Sequence, residues 1–133
     1  HKELIIAEVS MGFTMEDYAA YEKLAPSERK GMATRQELVD RIEFPMTKEG
    51  QRDFMKELFR RLKQVPEHLA RGFFYWEPAW IPVEGSGWAT KSSLAYIEDP
   101  GPCGNEWANQ ALFDYEGHAL PSLAVIRDYQ PEI

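Results

Sequence analysis

Two short apolar runs separated by an amphipathic helical pattern constrain this chain more than anything else in it. Leu4-Ile5-Ile6-Ala7 is apolar throughout and ends on Glu8, and Gly72-Phe73-Phe74-Tyr75-Trp76 is a second such run, closed by Glu77-Pro78. A run of branched and aromatic side chains with no polar alternation has no face to give to water, so each reads as a strand buried on both sides, as in a parallel sheet. Between them Thr47 is placed to cap a helix from about Lys48 to Gln64, and Phe54, Met55, Leu58, Phe59 and Leu62 fall on one stripe at helical spacing before Pro66 stops it. Strand, helix and strand in that order predict a βαβ unit, with parallel strands and a right-handed crossover, and therefore the α/β class.

The rest of the chain hangs on that unit. From Val9 to Met46 the pattern is mixed and charged, with Pro26, Gly31 and Pro45 as breakers, which predicts a long loop holding short helical pieces such as Glu16 to Lys23. Loops of that length in compact domains are usually functional. Beyond Trp80 a Gly- and Pro-rich stretch runs to Gly104; Asn105 to Tyr115, a turn at Glu116-Gly117 and an amphipathic segment from Pro121 to about Tyr129 follow. Two parallel strands with both edges open do not make a stable sheet, because unpaired backbone groups would face water. The chain also begins almost on a core strand. The expectation is that residues 1–133 form the C-terminal part of one larger domain, its open edges covered by a missing N-terminal part or by self-association.

Composition removes several classes of function. With 44% apolar and 13% aromatic residues the chain can bury a core, and a net charge of −7 argues against nucleic acid or an anionic membrane as partner. No run approaches the ~18 apolar residues of a membrane span, and Leu4 to Ala7 is too short for a signal peptide. A single cysteine, Cys103, cannot form an internal disulfide and reads as an unpaired loop thiol. His68, at a helix end, and His118, in a turn, have no sequence partner that suggests a metal or a triad, and both read as surface residues.

Two features place chemistry at the C-terminal ends of the predicted strands, where barrels and open α/β sheets carry their sites. One is the carboxylate of Ala7-Glu8-Val9, which taken alone reads sooner as a solvated acid at a strand end. The other is Tyr75-Trp76-Glu77-Pro78-Ala79-Trp80, with three aromatics that could equally be core packing. Taken together they suit a sugar: aromatic faces stack on the C–H faces of pyranose rings, and a carboxylate beside them can stabilise or attack an oxocarbenium-like centre. Glu77, next to Trp76 on an alternating strand, should point away from such a site and reads as structural.

The run Phe73-Phe74-Tyr75-Trp76-Glu77-Pro78-Ala79-Trp80-Ile81-Pro82-Val83, followed by Gly85-Ser86-Gly87-Trp88-Ala89-Thr90 and by Asn109-Gln110-Ala111-Leu112-Phe113-Asp114, resembles the end of the glycoside hydrolase family 53 enzymes, the arabinogalactan endo-β-1,4-galactanases. Ile5-Ile6-Ala7-Glu8-Val9, Phe44-Pro45-Met46-Thr47 with Gly50-Gln51, and Gly117-His118-Ala119-Leu120-Pro121-Ser122-Leu123 resemble the same family in the same order, so the likeness spans nearly the whole chain. It implies the C-terminal part, strands seven and eight with their helices, of a (β/α)8 TIM barrel of the retaining clan. It also implies a nucleophile at the end of strand seven and an acid/base at the end of strand four. Glu8 matches the nucleophile, and Trp76 matches the strand-eight tryptophan lining the subsite of the attacked sugar. Trp80 and Trp88 would extend the sugar platform. The acid/base belongs to a part of the family upstream of His1, so this chain would hold half the catalytic pair and be inactive alone.

The likeness is incomplete in places. Met11 and Phe13 stand where many members have tyrosines, and the stretch from Gly31 to Phe44 is longer than usual. Some bacterial members bind calcium in the loops after strands seven and eight; Glu98, Asp99, Asn105 and Glu106 are the nearby oxygen ligands, but their spacing fits no calcium motif. No cofactor or metal is otherwise expected. The implied substrate is β-1,4-galactan or arabinogalactan, and the implied parent is secreted. Two alternatives remain: a non-catalytic carbohydrate-binding module, which would want its own all-β fold, and an inert structural fragment.

Overall fold

The computed structural model describes residues 2–16, 36–81, 90–97 and 108–129. Strand β1 (Leu4–Val9) is followed by a one-turn helix α1 (Gln36–Val39), the long helix α2 (Lys48–Lys63), strand β2 (Ala70–Tyr75), a short helix α3 (Lys91–Tyr96) and helix α4 (Pro121–Arg127). The two strands pair in parallel, so the βαβ unit forms as the sequence predicts. The proposed helical piece from Glu16 to Lys23 lies, except for Glu16, outside the described residues, as do Trp88, Cys103 and the four residues Glu98, Asp99, Asn105 and Glu106.

Helix α2 starts where the sequence says it must. Thr47 sits in extended geometry (φ −136°, ψ 165°), and its hydroxyl accepts the Gly50 N–H at 3.0 Å, satisfying one of the donors a helix start leaves unpaired. Gly50 is required by a close approach: a Cβ there would lie 1.8 Å from the Pro45 carbonyl oxygen, which itself accepts the Thr47 N–H. At the other end Arg60, Arg61 and Lys63 oppose the negative pole of the helix.

One face of the sheet is covered by α2, which packs in turn on α4. Phe59 joins the layers, tilted against Phe73 of β2 at 5.4 Å and stacked on Tyr129 at 4.1 Å between ring centroids. Met55, Leu62, Met11, Phe13, Met46, Leu112 and Leu120 complete the apolar interior.

The expectation that both strands are buried on both faces is corrected. Leu4, Ile5 and Phe74 are 45%, 54% and 66% exposed, because among the described residues each strand has one neighbour and one covering layer. The apolar runs are therefore written for an environment that these residues alone do not supply. Strand β2 also begins two residues earlier than expected and ends at Tyr75, so Trp76 lies just past it. Helix α4 stops at Arg127, short of Tyr129. Helix α3 falls in the stretch read as Gly- and Pro-rich loop; its signal was Thr90, whose hydroxyl caps Ser93, ahead of an uninterrupted segment to Ile97. Among the described residues no helix is long and apolar enough to cross a membrane.

Candidate active site

Alternation along β2 decides which side chains can meet a substrate. Phe73 touches Phe59 of α2 and Tyr75 lies within 3.4 Å of Gln51 of the same helix, so these two face the helix layer; Phe74 and Trp76 face the other way and are exposed. On β1, Ile6 pairs with Phe73 and Val9 with Tyr75. Two residues, Ala7 and Glu8, thus stand against the single Phe74. This is a β-bulge, and it puts the exposed Glu8 on the same face as Phe74 and Trp76. A compensating irregularity lies one turn of the pleat earlier, where Gly72 takes φ +142°. The Trp76 N–H then donates to the Val9 carbonyl at 2.8 Å, tying the carboxylate's strand end to the tryptophan's.

Beyond Trp76 the strand rule no longer applies. Glu77 adopts φ 52° and turns the chain, so strand alternation no longer sets the direction of its side chain; its carbonyl accepts the Trp80 N–H at 3.4 Å. Trp80 is half-buried, and the turn is anchored by the Leu112 N–H on the Pro78 carbonyl at 2.8 Å. Glu8 and Trp76 therefore stand exposed at adjacent strand ends, and Trp80 lies in the turn that follows. Met11 and Phe13 are 5% and 4% exposed and serve the core.

Behind the site lies a set of buried polar groups to which the sequence reading gave no role. Gln51 donates from Nε2 to the carbonyls of Met11 (2.8 Å) and Ala111 (2.9 Å) and accepts from Ser122 Oγ at 2.5 Å. The Tyr75 hydroxyl donates to the Gln110 carbonyl at 2.8 Å and accepts the Met11 N–H at 3.2 Å. Burial pushes that phenol up to about 12, with the Met11 and Gln51 contacts acting against it, so the hydroxyl keeps its proton. Ser10 Oγ reaches Gln110 Oε1 at 2.5 Å, and Asn109, fully buried, takes the Phe13 N–H on its carbonyl. Gln51 was legible in principle: it occupies the apolar stripe one turn before Met55, where a polar side chain has to find internal partners.

Asp114 is buried at the hairpin turn, where Phe113 bridges Ala119. Lys48 at 2.9 Å, with the His118 N–H in support, holds its carboxyl down at about 2. His118 Nδ1 also lies 3.3 Å from it, a partner that the sequence reading did not anticipate, and Asp114, Glu116 and His118 offer ligand atoms within 4.8 Å of one another. The Lys48 ammonium on Asp114 Oδ2 opposes a cation there.

The sequence model of glycosyl hydrolase family 53 matches residues 1–126. The chain belongs to glycosyl hydrolase family 53. It is similar to the endo-beta-1,4-galactanase of Bacillus subtilis (strain 168), 33% identical over 144 aligned residues that take in 95% of this chain and 31% of the relative. An uncharacterized protein of Niallia circulans is 34% identical over 84 residues, covering 63% of this chain and 20% of its own length. Among solved structures, the family 53 catalytic domain of Ignisphaera aggregans matches with a TM-score of 0.72 and 32% identity over 95% of this chain and 30% of that one. The chain thus spans under a third of the length of these relatives. The parallel pair with its crossover helix is part of the (β/α)8 barrel of the family, as the sequence implied.

Proposed function

We propose that this chain contributes the nucleophile side of a retaining galactanase site, with Glu8 attacking the anomeric carbon of a β-1,4-linked galactosyl unit in galactan or arabinogalactan. The observation that carries the reading is that Glu8 and Trp76 share one exposed sheet face at adjacent strand ends, joined by the 2.8 Å bond from Trp76 N–H to Val9. The name of the Bacillus relative supports the substrate class. In the first step the Glu8 carboxylate displaces the leaving oxygen and forms a glycosyl-enzyme ester; in the second, water releases the sugar. Trp76 supplies an aromatic wall for the ring at the attacked position, and Trp80 and Trp88 would lengthen that platform. The acid/base that protonates the leaving oxygen is expected from outside this chain. A polymeric substrate favours an extracellular setting.

In the assembled barrel, Glu8→Ala should lower turnover by orders of magnitude while leaving binding intact. Azide should then restore turnover of an activated aryl galactoside and give the inverted glycosyl azide, because the small anion fills the vacated space. Near-normal activity of Glu8→Ala without azide would return Glu8 to a solvated strand-end acid.

A further inference from the structure

Resting on the reading of Glu8 as nucleophile, we propose that Tyr75 and Gln51 are positioning residues that set where the Glu8 carboxylate stands. Glu8 sits on a β-bulge, so where its carboxylate stands depends on how the backbone around the bulge is held. The backbone that follows is held residue by residue. Val9 is paired with Tyr75 and bonded by Trp76 N–H. Ser10 is bonded to Gln110, and Phe13 N–H to the Asn109 carbonyl. Met11 has both its backbone groups taken: its N–H donates to the Tyr75 hydroxyl oxygen and its carbonyl accepts from Gln51 Nε2. Gly12 has no room to move towards the core, since even a Cβ would lie 2.1 Å from Met46 Cε.

The same two side chains reach the segment after the second strand, through the carbonyls of Gln110 and Ala111. Both face the helix layer and neither faces the open side where a sugar would lie. Their effect on chemistry therefore passes through the strand end. A carboxylate displaced by ~1 Å from its attack position loses on the order of a hundredfold in rate.

The test is Tyr75→Phe in the assembled barrel, made alone and in the Glu8→Ala background with azide. Alone, it should lower kcat on an activated aryl galactoside about ten- to a hundredfold, with KM little changed and a cooperative melt retained. In the azide-supported reaction the anion finds its own place, so the same substitution should change the rate by no more than about twofold. An equal fall in both backgrounds would mean that the bonds serve Trp76 or the fold at large, and no fall in either would remove the positioning role. If Tyr75→Phe does not fold, Ser10→Ala deletes a single bond of the same network and should give the same pattern at smaller amplitude; the same two outcomes overturn the proposal there. Activity of Glu8→Ala without azide would instead sink the nucleophile assignment, whatever Tyr75→Phe does.

Discussion

Lys48 and Asp114 show how one ion pair can serve both a helix start and a distant turn. Lys48 opens α2, and Asp114 begins the hairpin that feeds α4; the carboxylate also accepts the N–H groups of Glu116 and His118, so it holds its own turn closed. Because the folded-state value, about 2, lies below the ordinary 3.8, the ionised carboxylate favours the fold. That contribution is complete above about pH 4 and is lost as the pH falls towards 2. Lys48→Met removes the first cause of the shift, so its urea midpoint should lie below that of the unaltered protein at pH 6, with the gap closing between pH 4 and pH 2. A gap that stays constant down to pH 2 would mean that the pair adds nothing through charge. The Lys48 side chain is 47% exposed, so the whole effect is that of a surface pair.

At the scale of elements, α2 is the part whose cap at Thr47, apolar stripe and stop the sequence carried. Its glycine is the exception that proves specific. Alanine is ordinarily the better helix former, but at position 50 its methyl would meet the Pro45 carbonyl, so Gly50→Ala should destabilise by about 1–3 kcal/mol, read from thermal or urea unfolding. An unchanged or raised midpoint would show that the Pro45 turn yields without cost. The strands were legible as strands because their apolar runs are short, rich in branched or aromatic residues and bounded by polar or turn residues. That Glu8 shares a face with Trp76 was not, since it depends on a bulge between Ile6 and Val9 that no residue in the run announces. Helix α3 was hidden because the Gly- and Pro-rich residues on either side outweigh six unremarkable positions. The Gln51 network was hidden because its acceptors are backbone carbonyls, to which a sequence gives no address.

For the whole molecule, the exposed sheet face bears on the proposed chemistry. Leu4, Ile5, Phe74 and Trp76 are exposed among the described residues, and the retaining mechanism proposed for Glu8 needs a second carboxyl about 5–5.5 Å from the first. The isolated chain should release no galacto-oligosaccharide from soluble β-1,4-galactan; reproducible release by the pure chain would end the half-site argument. Self-association through the edges of β1 and β2 that are unpaired among the described residues is the physical alternative to cover by further strands.

The interior beside the proposed site mixes amides and hydroxyls with hydrocarbon. Among the described residues Gln51, Asn109, Gln110, Asp114 and Ser122 are buried alongside nine apolar side chains, and Asn109 Oδ1 has no partner among them. Exposing hydrocarbon on unfolding raises heat capacity, whereas exposing amides and hydroxyls lowers it. A core that is partly amide therefore flattens the curve of stability against temperature. The strand end that carries Glu8 is thus held by contacts whose strength changes less on warming or cooling than that of an equal volume of hydrocarbon.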